Sequence, residues 1–247
     1  MNIAWLASPY TADHNNPRLL PGTVGGAEML DKDMFRHLRA AGHLVNWINA
    51  DQWEHAEYYE RIIITQTEFL PDEAIATMGD WKPLVWVRHL QEPRPGLEKL
   101  FRKADPFVTM SDLHARVEGQ AWSVTPEVCH GWLDLGEIVH GEGDGTALWA
   151  ARNHPQKGLI GARLYARNMG WELVEITDSP RPVVLEAMTR ASHFVFFPKG
   201  LDACPRTLIE AEAAGCEIHA GHLAGRVDPG PLDEVLDRHL RRFLGWF

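Results

Sequence analysis

The sequence has few cysteines and no long apolar run, which disfavours disulfide-rich proteins and membrane-spanning proteins. Three cysteines stand far apart among 247 residues, so no disulfide framework is implied, as is usual in a reducing compartment. No stretch is long and apolar enough for a transmembrane helix, and the N-terminus lacks the basic segment and apolar run of a signal peptide. We therefore expect a cytoplasmic protein.

Several widespread motifs are also missing. No Gly-x-Gly-x-x-Gly follows the first apolar run, and no phosphate-loop Gly-Lys-Ser/Thr occurs, which disfavours nicotinamide dehydrogenases and NTPases. No Gly-x-Ser-x-Gly elbow occurs, which disfavours α/β serine hydrolases. Thirteen histidines invite a metal site, for example His219 with His222 near Cys216. Their spacing matches no familiar zinc pattern and no Cys-x-x-Cys is present, so we expect no metal.

Positive charge is scarce as well. The chain has 24 Lys and Arg against 34 Asp and Glu, a net charge of −10. This balance disfavours broad, sequence-independent DNA binding, which relies on Lys and Arg against phosphates. The hydrophobic fraction of 45% and the charged fraction of 23% are typical of a soluble globular protein. The length allows one or two domains.

Short apolar runs alternate with amphipathic stretches along the chain, which favours parallel sheets covered by helices on both faces. The predicted strands are 2–7, 44–48, 61–66, 83–87, 107–110, 146–151, 171–176, 193–197 and 216–220. The first predicted helix is opened by residues 24–28 and runs to about Ala41, and a second begins after Ser111. The other predicted helices cover 157–169, 181–191, 206–214 and 232–244. The segment 124–136 is interpreted as a connection between two α/β halves, both unusually short.

The most informative segment runs from Asp202 to Glu210 and reads DACPRTLIE. Its first carboxylate lies in a loop after a predicted strand, and its second lies inside a helix that starts near Pro205. This arrangement places both acids at the carboxyl end of a parallel sheet, where open α/β folds bind their ligands. The helix N-terminus beside them can hold a phosphate. Few chemistries need this combination, and nucleotide-sugar binding is one of them.

This segment resembles the donor-binding segment of the retaining GT-B glycosyltransferases, in particular the large family four. In that family a loop Glu, a Phe-Pro pair and a helix Glu follow a strand. Asp202 stands where the first Glu would be, one methylene shorter, and Glu210 matches the second. Cys204-Pro205 replaces the Phe-Pro pair.

The resemblance implies roles for these residues. Glu210 is expected to hydrogen-bond the nucleotide ribose, and Asp202 is expected near the donor sugar hydroxyls or the anomeric carbon. Further donor contacts are expected from Ala203, Cys204, Arg206 and Thr207. An acid in a surface loop followed by a solvated helix Glu is the alternative interpretation.

Two cations extend the resemblance. In AARNHPQKG, Arg152 follows a predicted strand and Lys157 opens the next helix, where the family holds two cations that neutralise the departing diphosphate. A leaving group that gains charge needs such preorganised cations, and no metal is then required. Two solvated surface cations are the alternative.

The N-terminal half supplies weaker candidates. Gly25-Gly26 lies in a Gly-Gly-Ala-Glu stretch like one that lines the family's cleft, and glycines at a helix start let the backbone approach a phosphate. His89 ends a predicted strand where the family often has a sugar- or acceptor-binding His, and the neighbouring Arg88 is a competing candidate. A glycine-rich helix start and a structural His are the simpler interpretations. The expected catalytic residues are Asp202, His89, Arg152 and Lys157.

The implied fold is α/β, with two Rossmann-like domains facing across a cleft in an unusually compact GT-B arrangement. Residues 1–128 would form the acceptor-side domain, residues 129–231 the nucleotide-sugar domain, and residues 232–247 a helix packing across the boundary. The implied activity is retaining, metal-independent transfer of a hexose from a nucleoside-diphosphate sugar, with UDP favoured, to a hydroxyl acceptor, without a cofactor. The acceptor would be a sugar, a lipid-linked sugar or a small metabolite.

Three alternatives stay open. One is a DNA-modifying glycosyltransferase acting on hydroxymethylated bases, which would need base flipping. Another is a non-catalytic nucleotide-sugar-binding module, suggested by Asp202 in place of Glu. The third is another activity of the same fold, such as a nucleotide-sugar epimerase or hydrolase.

Overall fold

The structure is a computed structural model that describes residues 1–7 and 26–247. The described chain forms two α/β units. The first contains residues 1–7, 27–133 and 236–247, and the second contains Gly26 and residues 134–235. No helix among the described residues is long and apolar enough to cross a membrane.

The first unit is built on a six-stranded parallel sheet. Its strands are Asn2–Ala7 (β1), Leu44–Asn49 (β2), Arg61–Ile64 (β3), Leu84–Trp86 (β4), Phe107–Thr109 (β5) and Glu127–Val128 (β6). They lie in the order β2-β1-β3-β4-β5-β6. Residues 3–7 of β1 are all buried, which is why this strand is an unbroken apolar run rather than an alternating one.

Helices connect these strands. They are Gly26–Ala40 (α1), Asp72–Met78 (α2), Leu97–Lys103 (α3) and Asp112–Trp122 (α4), with short 3₁₀ segments at Ala50–Tyr58, Thr67–Phe69 and Gly79–Trp81. The chain leaves α1 through Gly42, whose φ of 89° suits the left-handed turn that often ends a helix.

The second unit repeats the plan with four parallel strands. They are Ala147–Ala151 (β7), Leu173–Thr177 (β8), His193–Phe196 (β9) and Glu217–Ala220 (β10), in the order β10-β9-β7-β8. The helices are Leu159–Met169 (α5), Arg181–Arg190 (α6) and Arg206–Ala213 (α7), and Leu232–Leu244 (α8) continues into the first unit at residue 236. A 3₁₀ turn, Pro155–Lys157, precedes α5.

The two sheets share one connectivity. In each, the second strand lies on one side of the first and the third strand lies on the other. The chain therefore reverses direction across the sheet between β1 and β3 in the first unit and between β7 and β9 in the second. In open parallel sheets, ligands bind outside the carboxyl ends of the strands at such a reversal.

The α/β class with parallel sheets is confirmed, and most predicted strands are present with ends shifted by a residue or two. Two expectations need correction. The connection expected at 124–136 contains β6, a two-residue strand too short to leave an apolar run. The helix expected to start at Lys157 starts at Leu159 instead, because Gly158 separates it from the 3₁₀ turn.

Ser111 caps α4, as its position before the helix predicts. Its side-chain oxygen accepts a hydrogen bond from the backbone N–H of His114 at 3.3 Å, which satisfies one of the first-turn donors. Ser111→Ala is expected to lower the free energy of unfolding by about 1 kcal/mol, measured by urea denaturation. Because glycine is tolerated at a cap and adds no atoms to this buried position, Ser111→Gly should lose less, and equal losses in the two variants would contradict the capping role.

Candidate active site in the second unit

The strand reversal of the second unit collects the charged residues that the sequence singled out. Arg152 follows the end of β7, Lys157 closes the 3₁₀ turn after it, and Asp202 lies in the loop after β9. Because β7 and β9 are parallel neighbours, both loops leave the sheet at the same edge. This is the edge at which ligands of open α/β sheets bind.

Lys157 and Asp202 form an ion pair. The Nζ of Lys157 lies 2.6 Å from Oδ2 of Asp202, and the two side chains are 34% and 20% exposed. The backbone of Asp202 is fixed as well: its N–H donates to Leu223 O at 2.9 Å, and its carbonyl accepts from Gly225 N–H at 2.7 Å. The carboxylate is thus held in place on a cation that solvent, and therefore a ligand, can reach.

Gly158 explains how Lys157 comes so near the end of β9. Its φ is 74°, and a Cβ at this position would lie 1.7 Å from the carbonyl oxygen of Phe197. Only a residue without a side chain allows the two backbone segments to approach this closely. The Lys-Gly pair therefore sets the position of the cation against the loop that carries Asp202.

Glu210 is buried within a cluster of two arginines. Its side chain is 4% exposed, and Oε1 accepts hydrogen bonds from Nε of Arg181 and Nε of Arg206, each at 2.9 Å. Arg181 also donates to Glu137 Oε2 at 2.6 Å. The two guanidinium groups therefore hold the carboxylate in one orientation.

Arg181 and Glu137 belong to this charged cluster, and the sequence did not point to either of them. Burial alone would lower the pKa of Arg181, but hydrogen bonds to Glu210 and Glu137 raise it above its ordinary value. The guanidinium therefore stays charged. Arg181 opens α6, 29 positions from Glu210, and no local pattern links the two.

The remaining donor-side candidates cluster around the start of α7. Ala203 is buried, while Cys204, Arg206 and Thr207 are half-buried. Burial and the nearby Asp202 carboxylate raise the pKa of the Cys204 thiol to about 12, so Cys204 is not a thiolate nucleophile at neutral pH. Arg152 is exposed.

The candidate residues of the N-terminal half differ in their exposure to solvent. Arg88 is buried, forms an ion pair with Asp31 and lies 4.7 Å from the ring centre of Trp86, so it serves the core of the first unit. His89 is 53% exposed, with Nε2 3.5 Å from Glu68 Oε1, and is accessible to a ligand. Gly26 is the first residue of α1, and Gly25 lies outside the described residues.

The comparisons with known proteins concern the fold. No protein-family model matches the chain, and no curated protein matches its sequence. Solved structures do match. AviGT4, a glycosyltransferase involved in avilamycin A biosynthesis, has a TM-score of 0.63 at 11% identity, covering 98% of this chain and 91% of that one.

Two further solved structures match over nearly the whole of this chain. Sucrose-phosphate synthase from Thermosynechococcus elongatus has a TM-score of 0.65 at 12% identity, covering 99% of this chain and 90% of that one. Alr3699/HepE from Anabaena, solved with UDP and glucose, has a TM-score of 0.56 at 12% identity, covering 98% and 90%. At these identities the likeness concerns the fold and not membership of family four. The chain therefore has the fold of the GT-B glycosyltransferases.

Proposed function

We propose that the protein is a glycosyltransferase that moves a hexose from a nucleoside-diphosphate sugar to a hydroxyl acceptor. The observation that carries the proposal is the set of oriented charges at the strand reversal of the second unit. Lys157 with Asp202 and Glu210 between two arginines occupy one sheet edge in a GT-B fold. This edge offers a cation for a diphosphate and fixed acceptors for sugar hydroxyls.

A UDP-linked donor is favoured. Alr3699/HepE, which shares the fold, has been solved with UDP and with UDP-glucose. In this chain the Glu210 carboxylate would accept hydrogen bonds from the ribose hydroxyls. Arg181 and Arg206 hold that carboxylate in one orientation, so little orientational freedom would be lost on binding the ribose.

The cations would act on the departing diphosphate. As the bond between the anomeric carbon and the phosphate oxygen breaks, negative charge grows on the diphosphate, and fixed positive groups stabilise that change. Lys157 would supply one such group, and the exposed Arg152 would approach from the end of β7. In this scheme the chain's own cations do the work that a metal does in other glycosyltransferases.

Retention would follow from attack on the face that the diphosphate leaves. The acceptor oxygen forms the new bond to the anomeric carbon, and its proton passes to the departing phosphate oxygen. Asp202 then orients the sugar and need not act as a nucleophile. His89, accessible in the first unit, is the candidate for acceptor binding. The anomeric configuration of the product, measured by NMR, tests retention directly.

The donor site can be tested with nucleotides alone. UDP is expected to raise the melting temperature of the wild type more than GDP or ADP, and Glu210→Gln is expected to weaken UDP binding by roughly 10- to 100-fold, as loss of a charged hydrogen-bond partner does. Calorimetric titration measures the affinity. Glu212→Gln is the matched control, because Glu212 lies exposed on the same helix.

Two results would contradict the proposal. If millimolar nucleotides leave the melting temperature unchanged, the chain has no nucleotide donor site. If the two glutamine variants bind UDP equally well, Glu210 does not contact the nucleotide. Product analysis then separates the activities. If the donor is consumed without an acceptor, the protein is a hydrolase or an epimerase. If the donor binds but is not turned over with any acceptor, the protein is a non-catalytic binding module.

A further inference from the structure

Three polar side chains of the second unit converge on one point away from the proposed donor site. His193 opens β9 and Glu217 opens β10, and the two residues are register partners in the parallel pair. His219 lies two residues beyond Glu217. Because side chains alternate along a strand, register partners and residues two apart share one face of the sheet. All three therefore project from the same face.

Their candidate ligand atoms form a compact triangle. Nε2 of His219 lies 3.2 Å from Nδ1 of His193. Oε2 of Glu217 lies 3.4 Å from Nδ1 of His193 and 3.7 Å from Nε2 of His219. Ligands at about 2.0–2.2 Å from a tetrahedral zinc ion stand roughly 3.3–3.6 Å from one another. The triangle thus has the dimensions of one face of such a tetrahedron.

The surrounding residues hold the two imidazoles in orientations suited to a metal. The hydroxyl of Tyr165 lies 3.2 Å from Nδ1 of His219, so it can accept the Nδ1 proton and leave the Nε2 lone pair facing the triangle. A metal-binding His usually donates its distal N–H to an oxygen acceptor, which fixes the tautomer and the orientation of the ring. The indole of Trp171 stacks on His193, with ring centres 3.8 Å apart and planes 9° apart.

The third member of the triangle is a carboxylate, which binds Zn²⁺ through an oxygen. The carboxylate of Glu217 is 68% exposed, so an ion can enter from solvent and keep a water as its fourth ligand.

We propose that His193, Glu217 and His219 bind one Zn²⁺ ion, with water in the fourth position. The site lies at the amino ends of β9 and β10, whereas Asp202 follows the carboxyl end of β9. Since β10 is the edge strand of its sheet, the ion would tie the edge strand to its neighbour. This site is independent of the proposed function and revises the expectation, drawn from residue spacing alone, that the chain holds no metal.

The test is zinc binding by untagged, chelator-treated full-length protein. Calorimetric titration with Zn²⁺ is expected to show one equivalent bound and a raised melting temperature. Co²⁺ in its place is expected to give the intense visible absorption of a four-coordinate ion. Glu217→Gln and His193→Gln should each weaken Zn²⁺ binding by more than about 10-fold, and Tyr165→Phe by roughly 10-fold.

Suitable controls make the result decisive. His222→Gln is the matched variant, because His222 is exposed in the turn after β10 and should bind Zn²⁺ as the wild type does. Glu217→Gln alters an exposed side chain, so circular dichroism should show it folded. Absence of stoichiometric Zn²⁺ binding would overturn the proposal. So would binding that survives Glu217→Gln and His193→Gln, since the ion would then lie elsewhere.

Discussion

Lys157→Ala is expected to lower kcat for sugar transfer by about 10²- to 10³-fold, the loss typical when one group that stabilises transition-state charge is removed. The charge on the departing diphosphate is greater in the transition state than in the bound donor, so KM should change far less than kcat. UDP release from the proposed UDP-hexose donor in the presence of an acceptor measures both constants.

Two variants sharpen this experiment. Lys157→Arg retains the charge and should keep part of the activity, while Arg167→Ala removes an exposed cation from the following helix, α5, and should leave the rate unchanged. Lys157→Ala also leaves the Asp202 carboxylate without its 2.6 Å partner. A double-mutant cycle with Asp202→Asn separates that effect from the direct one. A rise in KM with unchanged kcat would mean that Lys157 binds the donor equally well in the ground state and the transition state, which would contradict the expected role.

Gly158→Ala is expected to destabilise the second unit by more than about 4 kcal/mol, a size that single substitutions reach only through severe overpacking or strain. The new Cβ would lie 1.7 Å from a backbone oxygen, and backbone cannot move aside as a flexible side chain can. Gly170→Ala is the matched control. Gly170 has nearly the same φ, 75° against 74°, but nothing lies within 4 Å of its Cβ position.

The difference between the two alanine variants isolates the steric cost. Gly170→Ala should lose only about 1–2 kcal/mol, the cost of a left-handed residue with a side chain. Urea denaturation gives the free energies of unfolding, and hydrogen exchange followed by mass spectrometry shows whether the loss is confined to residues 134–235. Equal losses in the two variants would mean that the approach to Phe197 is not limiting.

Sequence patterns predicted the fold well where burial is extreme. β1 has the predicted bounds 2–7 because residues buried on both faces leave an unbroken apolar run. α8 has the predicted bounds 232–244 because one apolar face repeats over several turns. α2 and α3, at seven residues each, were not predicted, since two turns are too few to show a helical period.

The candidate site was predicted as single residues rather than as contacts. A family-like motif selected Asp202 and Lys157, which are 45 positions apart. Their pairing depends on the strand order and on the close approach of the Gly158 backbone to Phe197. Neither can be inferred from the residues next to them in the sequence. The proposed zinc triad shows the same limit. His193 joins His219 only because β9 and β10 are neighbours, and the sequence spacing instead suggested His222 as the partner.

The discontinuous first unit has a consequence for how the chain folds during synthesis. Phe243 is fully buried there, with ring centres 6.3 Å from Trp5 and 5.4 Å from Trp86. The core around β1 therefore stays incomplete until residues near 243 have emerged from the ribosome. Residues 134–235, which form the other sheet, emerge earlier. Domains usually fold in order from the N-terminus. Here the second unit can fold before the first, because the core of the first unit is completed only by α8.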